Sequence, residues 1–370
     1  MRGQRSRQAV MATAVAGFLG VAVAGCTGNS PHPQASMASV PPGTATAIPS
    51  VANPAASPSG GAPTVGGSGT VGCPTVGATT VSSAGALSSA LAGARPGEVI
   101  VLAPGVYPGD FVASVSGTAS APITLCGTRS AVLRGDSVRS GYTFYLSHAS
   151  WWRVEGFTVE GGQKGIMTDG ADHNLLYGLY VHGTGDEAIH LRSFSSDNTV
   201  SHNVIRDTGS HKQFYGEGIY VGSAHSNWCT YSGCQPDRSD GDVLTDNDIA
   251  DTTAENIDIK EGTTGGTISG NQFNGTGMVE SAATGWINVK GNGWTIRDNT
   301  GADSVKNGYQ VHQVYPGWGI GNVFIGNRAQ VNGPGYGIYV QNKRLQTVVA
   351  CNNVVTAAGS GFSTVACSSA

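Results

Sequence analysis

The chain has 370 residues, of which 56 are glycine and only 12% are charged. This much glycine argues against a mainly helical protein, because glycine is unfavourable inside helices and favourable at tight turns. An apolar share of 39%, with recurring runs of Ile and Val, argues against simple disorder. The net charge of −4 argues against duplex nucleic acid as a partner, since neutralising phosphates requires clustered Lys and Arg.

The N-terminus has the pattern of an export signal. A basic start is followed by a short apolar run over residues 10–24, which is too short for a mature membrane-spanning helix. The run ends in Val-Ala-Gly-Cys, which resembles the bacterial lipobox, whose cysteine is lipidated and becomes the new N-terminus. We predict a lipoprotein signal peptide over residues 1–25 and lipidation at Cys26, with membrane attachment through lipid only. The alternative is an ordinary signal peptide with a chance cysteine.

Residues 26–72 are predicted to be a disordered linker. Positions 27–72 contain no Asp, Glu, Lys or Arg, and eight of the 16 prolines of the chain lie there. Such a segment buries too little apolar area to offset its ordering entropy, and proline keeps it extended. The linker would hold the remaining part, residues 73–370, away from the membrane.

Six cysteines remain beyond Cys26. An even number in an exported chain predicts disulfides, although several connectivities are possible. Proximity in the sequence favours the following pairs: Cys229–Cys234 and Cys351–Cys367, which leaves Cys73–Cys126.

A repeat sets the fold. An apolar marker residue recurs at these places: Ile166, Ile189, Ile219, Ile257, Ile287, Val311 and Ile338. The steps between the markers are 23, 30, 38, 30, 24 and 27 residues. Periods of this size indicate a solenoid, and short β-branched runs broken by Asn, Asp and Gly indicate strands joined by turns. We predict an all-β fold for residues 73–370, a right-handed parallel β-helix.

The first part of this region has helical character over Ala84–Ala94, and we predict that this helix caps the open end of the solenoid. Asn at the turns is expected to adopt the left-handed conformation and to bond to the backbone of the neighbouring coil. The succession of helix, Pro-Gly at 96–97, apolar strand and Pro-Gly-Val-Tyr at 104–107 resembles the opening of β-helix polysaccharide lyases and related carbohydrate-active proteins.

Strand alternation predicts two columns of outward side chains on one sheet, with neighbours about 4.8 Å apart. The first column contains Met167, His190, Tyr220, Asp258, Asn288, His312 and Tyr339. The second contains Asp169, Arg192, Gly222, Lys260, Lys290, Val314 and Gln341.

These columns predict a groove for an anionic polysaccharide, since Trp and Tyr offer apolar faces to sugar rings while Arg and Lys pair with carboxylates. The candidate catalytic residues are Lys260, Arg192, Lys290, His190 and Tyr220. The candidate substrate-binding residues are Asp258, Trp286, Asn288, His312 and Tyr339. The alternative is a solvated polar face without function.

A third column is acidic. Two residues before the marker stand Glu187, Glu217 and Glu255 on three successive repeats, with Asp186 beside the first. Stacked carboxylates raise one another's pKa values, and a hard cation removes that cost, so we predict a calcium site at these four residues. The alternative is that they cap turns and point into water.

The segment Glu-Asn-Ile-Asp-Ile-Lys at 255–260 resembles the E-x-x-x-x-K strand of the chondroitinase B and alginate lyase family. In that family the Glu, here Glu255, binds calcium, and the Lys, here Lys260, is the Brønsted base. Three positions depart from the family pattern: Thr253 stands where a further acid is frequent, Glu261 stands where Ser usually follows the Lys, and Ser281 stands where the family has a catalytic Arg.

The resemblance implies calcium-assisted β-elimination of a uronate-containing polysaccharide at the bacterial cell surface. A neutral Lys260 would remove the proton alpha to the uronate carboxylate, and Tyr220 or His190 would protonate the leaving oxygen. Arg192, Lys290 and the cation would favour the uncharged amine of Lys260, whereas Asp258 opposes it.

Two other functions fit the same sequence. One is glycoside hydrolysis by paired carboxylates, such as Asp186 with Asp258 or Glu217. The other is a tethered β-helix that binds glycan without catalysis. In each case we expect a monomer. The loop Ser223–Gly241, with its cysteine pair, either walls the groove or is a tolerated insertion.

Overall fold

The computed structural model describes residues 73–74 and 77–369 of the chain. The predicted signal peptide, the lipidation at Cys26 and the linker lie outside the described residues. Within the described part, no helix combines the length and the apolar character needed to cross a membrane.

Residues 77–369 wind into a right-handed parallel β-helix with three parallel sheets, and most coils add one strand to each sheet. We call the sheets the first sheet, the second sheet and the groove sheet, in the order in which the chain visits them. This architecture confirms the predicted fold class.

The strands are short and follow one another regularly. The first sheet contains Thr79–Val81, Val99–Leu102, Ile123–Cys126, Trp152–Glu155, Leu175–Tyr177, Thr199–Ser201, Val243–Thr245, Thr267–Ser269, Thr295–Arg297, Val323–Ile325 and Val348–Val349. The second sheet contains Gly105–Pro108, Ala131–Arg134, Thr158–Glu160, Tyr180–His182, Val204–Arg206, Asp248–Ile249, Gln272–Asn274, Thr300–Ala302, Arg328–Gly333 and Val354–Ala358. The groove sheet contains Phe111–Ala113, Tyr142–Ser147, Lys164–Asp169, Ile189–Arg192, Ile219–Val221, Ile257–Ile259, Ile287–Val289, Tyr309–Val311, Tyr336–Val340 and Gly361–Ser363.

Helical segments are few in the described chain. An α-helix covers Ala84–Ala92 and a single α-helical turn covers Trp228–Tyr231. The 3-10 turns are Gln213–Tyr215, His225–Asn227 and Lys343–Leu345.

The first helix closes the N-terminal end of the solenoid, as predicted. The Ser83 hydroxyl caps it by accepting from the Ala86 N–H at 3.3 Å. Leu87 and Leu91, one helical turn apart, are fully buried and belong to the core of the solenoid. The helix thereby covers apolar side chains that the first coil would otherwise expose.

The core runs the length of the solenoid because each strand turns alternate side chains inward. Ile219, Ile257 and Ile287 are paired in register on successive coils, and all three are fully buried. Burying each such side chain stabilises the fold by about 1.5–3 kcal/mol.

An asparagine ladder follows the first sheet. It contains Asn203, Asn247, Asn271, Asn299, Asn327 and Asn353. From Asn247 onward, each Oδ1 accepts from the backbone N–H of the preceding Asn at 2.9–3.1 Å, which confirms the predicted bond between coils. The prediction of the left-handed conformation was wrong by one position, since residues just before the Asn, such as His202 and Asp298, adopt it at φ of 57° and 56°.

A second, shorter ladder ends in an acid. The Oδ1 atom of Asp242 accepts from the backbone N–H and from Nδ2 of Asn198, at 2.8 and 3.2 Å. Its Oδ2 is buried without a hydrogen-bond partner among the described residues. Burial raises the pKa of Asp242 well above its ordinary value, so the folded protein holds this carboxyl protonated.

The three disulfides have the predicted pairing: Cys73–Cys126, Cys229–Cys234 and Cys351–Cys367. The first attaches the start of the described chain to the first sheet. The last closes the final coil.

The structure corrects the register of one repeat. Tyr309, and not Val311, takes the marker position opposite Ile287. Gln310 therefore stands in the first column, and His312 stands in the second column beyond Lys290, so the predicted place of His312 was wrong. The cause is that Tyr309 is a core residue, whose fully buried ring stacks edge-on against a neighbouring indole.

That indole belongs to Trp286, and its predicted place in the groove was also wrong. Trp286 is fully buried, and its Nε1 donates to the Ala302 carbonyl at 3.1 Å. The ring occupies space over Gly301 and Gly308, where any side chain would clash with it. The glycines of the neighbouring coil leave space that the Trp286 ring fills, so the ring packs inside the solenoid.

We predict that Asp242→Asn stabilises the protein at alkaline pH. A raised folded pKa means that the stability contributed by the Asp242 proton is full below the ordinary Asp pKa and is lost as pH rises through the folded value. Asn has no such proton to lose, so we expect a gain of about 1–3 kcal/mol in the free energy of unfolding at pH 8 that shrinks toward pH 4.

Urea unfolding across this pH range measures the difference. Asp246→Asn is the matched control, because Asp246 is exposed and stands in the left-handed conformation that Asn tolerates. A gain of the same size at every pH would contradict the protonation of Asp242.

Candidate active site

The outward columns of the groove sheet form a packed floor. Register places the first column as Tyr145, Met167, His190, Tyr220, Asp258, Asn288, Gln310 and Tyr339. The second column, two residues further along each strand, includes Asp169, Arg192, Lys260, Lys290 and His312. Most of these side chains are buried against one another, so the face is an ordered polar surface and not a solvated one.

Asp258 lies at the centre of this floor and is 1% exposed. Its Oδ2 is 2.7 Å from Nζ of Lys260, and Nζ of Lys290 donates to both oxygens at 2.6 and 2.8 Å. Burial raises the pKa of Asp258, but the two ammonium groups outweigh burial and hold it below its ordinary value. Asp258 is therefore a buried carboxylate shared by two lysines.

Lys260 is held as an ammonium ion in the free protein. Burial lowers its pKa, but Asp258, Tyr220 and Glu217 together outweigh burial, so the pKa of Lys260 stands well above its ordinary value. Its Nζ lies 4.7 Å from the ring centroid of Tyr220. The net direction is opposite to that expected for a neutral base.

Tyr220 lies between Lys260 and His190, whose ring centroid is 4.4 Å away. Burial raises the pKa of Tyr220 well above its ordinary value, and the nearby lysine only partly offsets this. The phenol keeps its proton, as a proton donor must.

The N–H of His190 is engaged within the protein, while its other ring nitrogen has no hydrogen-bond partner among the described residues. Its Nε2 donates to the Gly222 carbonyl at 2.9 Å, and its Nδ1 is 3.4 Å from Oε1 of Glu187. Burial lowers the pKa of His190, so the ring is neutral. The structure gives His190 a supporting place beneath Tyr220.

The acidic column is regrouped. Glu217, Glu255 and Asp258 bring carboxylate oxygens within 4.8 Å of one another, and all three are buried. Burial and the neighbouring carboxylates raise the pKa of Glu217 well above its ordinary value. Its Oε2 is buried and has no hydrogen-bond partner in the described chain.

Glu187 and Asp186 do not belong to this group, so the predicted four-residue set was wrong, although Glu187 lies near enough to raise the pKa of Glu217. Lys164 on the preceding coil binds Glu187, and it outweighs the effect of burial and lowers the pKa of Glu187 to about 2. Asp186 accepts from Nε2 of Gln163 at 2.7 Å. The sequence held the signal for Lys164, which stands two residues before its marker, at the same position as the three glutamates.

Asn288 connects the acidic group to His312. Its Nδ2 donates to Oε1 of Glu255 at 2.9 Å, which turns its Oδ1 toward Nδ1 of His312 at 2.8 Å. The His312 nitrogen must donate in this contact, so its Nε2 carries a lone pair. Burial lowers the pKa of His312 to about 4, and Lys290 adds to the effect. His312 is thus a neutral hydrogen-bond acceptor.

Arg192 lies in the groove but is already bound. Its Nε and one terminal nitrogen donate to the two oxygens of Asp169 at 2.7 and 2.8 Å. Its guanidinium carbon is 3.7 Å from the ring centroid of Tyr231, a loop residue. Arg192 therefore holds the loop in place and has little capacity left for a substrate carboxylate.

That loop, Ser223–Gly241, forms one wall of the groove. Asp237 anchors it by accepting from the backbone N–H groups of Ser193 and Phe194 at 3.0 and 2.9 Å. At its other end, the His225 ring lies 2.8 Å from Oε1 of Glu261. Sequence reasoning raised the possibility of a wall but missed these anchors, since a loop has no periodicity to read.

We predict that Arg192→Met costs about 3–5 kcal/mol of the free energy of unfolding, because it leaves Asp169 buried without its cation. Arg134→Met is the matched control. Arg134 is 51% exposed in its ion pair with Glu160, so its loss is expected to cost about 0–1 kcal/mol. Urea unfolding at neutral pH measures both, and equal costs would contradict the buried pair.

Taken with the fold, a groove floored by lysines, tyrosines and carboxylates defines a β-helix carbohydrate-active protein. Residues 111–310 match the family described as periplasmic copper-binding protein (NosD), and the chain belongs to this family of β-helix proteins. No curated protein matches the chain.

Solved structures share the fold. The alginate lyase from Paenibacillus sp. str. FPU-7 is 36% identical, with 77% of this chain and 97% of that chain covered and a TM-score of 0.72. Pectate lyase Pel9A is 17% identical over 76% of each chain, with a TM-score of 0.54. The periplasmic alginate epimerase AlgG is 11% identical over 73% of this chain and 61% of that chain, with a TM-score of 0.50. The last two show similarity of fold alone.

Proposed function

We propose that the protein is an exported polysaccharide lyase that cleaves an alginate-like polymer of uronic acids by β-elimination. The observation that carries this proposal is the contact of Lys260 with Tyr220 on the groove floor, which places a potential base beside a potential acid. The 36% identity to an alginate lyase over 97% of that chain supports the same substrate class.

In the proposed reaction the uronate carboxylate binds beside Lys290, whose positive charge makes the alpha proton more acidic. Lys260 takes that proton from C5 of the sugar. The C4–O bond breaks as the C4–C5 double bond forms, and Tyr220 gives its proton to the leaving oxygen. The products are a chain with a new hydroxyl group and a chain ending in an unsaturated uronate.

The protonation states fix two requirements of this mechanism. Tyr220 already holds the proton that it donates. Lys260 must first lose a proton, because Asp258 stabilises its ammonium form in the free protein. The neutral His312, next to Lys290 in the second column, is placed to accept a hydrogen bond from a sugar hydroxyl.

The side chains do not fit a calcium ion as they stand. The carboxylate group that would hold it is Glu217, Glu255 and Asp258. Both oxygens of Asp258 already bind ammonium groups, which repel a cation. We therefore assign no step to calcium, and its presence stays a prediction to be tested.

The described residues do not match the ligands that copper prefers, so we do not propose that this chain binds the copper named in the family description. Within residues 73–74 and 77–369, the group of potential metal ligands consists of carboxylates, whereas copper prefers imidazole and sulfur ligands. The described cysteines are engaged in disulfides.

We also propose that the protein acts outside the cytoplasm, tethered to the membrane through lipid on Cys26, as a monomer. The family description names a periplasmic protein, and the three disulfides suit an oxidising compartment.

We predict that Lys260→Ala and Tyr220→Phe each lower the rate of elimination about 100- to 10,000-fold, because each removes a proton-transfer group. The near-ultraviolet absorbance of the unsaturated product, formed from alginate, pectate or a glycosaminoglycan, measures the rate. Lys343→Ala is the matched control, since Lys343 is exposed in a 3-10 turn outside the groove columns.

Other outcomes discriminate between functions. New reducing ends without the unsaturated product would show a hydrolase. Retention on a polysaccharide without turnover would show a binding protein. Full activity of both variants would contradict the assigned acid and base.

We predict that removing divalent cations with a chelator leaves the elimination rate unchanged, because lysines already neutralise Asp258. The same samples are melted with and without calcium, since a resident ion stabilises the folded state by mass action. Loss of activity in chelator that calcium restores, together with a calcium-dependent melting temperature, would establish calcium as a cofactor.

A further inference from the structure

We propose that a pocket beside the reacting pair is a separate subsite for another uronate unit of the same polysaccharide chain, and this inference rests on the proposed lyase function. We call it the Tyr231 pocket. Its principal lining residues are Tyr142, Lys164, Lys212, Tyr215, Tyr220 and Tyr231.

Two tyrosines on different loops offer stacking surfaces in this pocket. Tyr231 belongs to the loop Ser223–Gly241 and is 39% exposed, and Tyr215 belongs to the 3-10 turn before Ile219–Val221 and is 52% exposed. Large exposed aromatic rings are unfavourable without a partner, and the apolar face of a sugar ring is a suitable one. Both rings line the same cavity.

The charges of the pocket favour an acidic sugar. Two of its cations are neutralised by carboxylates in the floor, since Lys164 binds Glu187 and Arg192 binds Asp169. The carboxyl group of Asp186 also lines the pocket, but burial raises its pKa. Lys212, on the same wall as Tyr215, lies near Asp186 and is exposed to solvent. Its ammonium group is the cation that a uronate carboxylate in this pocket would meet.

Tyr231 is held in position before any ligand arrives. The Arg192 guanidinium lies against its ring at 3.7 Å. Asp237, fully buried, anchors the loop by accepting from two backbone N–H groups and from the hydroxyls of Ser223 and Ser239 at 2.8 and 2.9 Å. A wall ordered in advance binds without the entropy cost of ordering a loop.

The pocket is displaced from the reacting pair along the axis of the solenoid. It spans the strands Lys164–Asp169, Ile189–Arg192 and Ile219–Val221, and it shares Tyr220 with the reacting pair. Three coils at about 4.8 Å spacing extend away from Lys260 on its N-terminal side. A sugar bound in the pocket would therefore belong to the same polysaccharide chain as the sugar that reacts. Only longer chains extend far enough to occupy both positions.

The test compares oligouronates of increasing length, from the shortest one cleaved upwards. We expect Tyr231→Ala to lower kcat/KM about tenfold on long chains, since an aromatic stacking contact contributes about 1.4 kcal/mol, and to leave the shortest substrate unaffected. Tyr231→Phe keeps the ring and is expected to match the wild type. Lys212→Ala is expected to show the same length dependence.

Phe214→Ala is the matched control. Phe214 neighbours Tyr215 and is 61% exposed but does not line the pocket, so its loss is expected to change nothing. Melting temperatures of all variants check that each one folds. An equal loss on every length, or no loss on any length, would overturn the subsite.

Calorimetric binding of the longest oligouronate separates this inference from the proposed reaction. Wild-type binding that is weakened by Tyr231→Ala, without any unsaturated product, would overturn the lyase and support the subsite. Cleavage by the wild type, with binding unchanged in Tyr231→Ala, would support the lyase and overturn the subsite. Absence of both binding and cleavage would overturn the two together.

Discussion

Register between stacked parallel strands is the constraint on which the rest of this structure depends. Because each coil is placed directly above the last, a residue type at one position faces the same position of its neighbours about 4.8 Å away. On the inner side this makes a continuous column of Ile, Val and Leu. On the outer side it forces ionisable groups into direct contact, so the sequence of each column decides whether its charges balance.

In the groove floor, the charges of neighbouring side chains largely balance one another. Its central charged groups are the lysines Lys164, Lys260 and Lys290 and the acids Glu187, Glu217, Glu255 and Asp258. Three cations face four acids, and the pKa values of Glu217 and Glu255 are both raised, mainly by burial. The lysines that balance Asp258 are also the groups that a bound uronate would meet.

Much of the fold was readable from the sequence because the repeat is carried by chemically unambiguous residues. The Ile markers and the Asn turns have one role each, so spacing alone located the coils. The disulfides followed because two pairs close short segments. Tyr309 and Trp286 were misread for the opposite reason, since an amphipathic aromatic residue suits either side of a strand. Glycines such as Gly301 leave the space that the Trp286 ring fills, and Tyr309 packs against that ring.

The site was predicted less completely than the fold. The predicted columns correctly placed Lys260, Tyr220 and Asp258 side by side, because the register between strands follows from the repeat alone. Pairing within the floor was harder, since it depends on side-chain reach: Lys164 removes Glu187 from the acidic group, and Asp258 replaces it. The charge of Lys260 depends on how deeply its neighbours are buried, and a pattern in the linear sequence does not contain that information.

The loop that carries Tyr231 is stabilised in a different way from the coils beneath it. The coils are held by ladder hydrogen bonds and buried side chains, whereas the loop is closed in addition by the exposed Cys229–Cys234 bridge. Thiol oxidation requires an oxidising compartment, while burial of apolar surface does not. Reduction of this bridge would therefore open the groove wall, while the ladder hydrogen bonds and buried side chains of the coils do not depend on the state of these two cysteines.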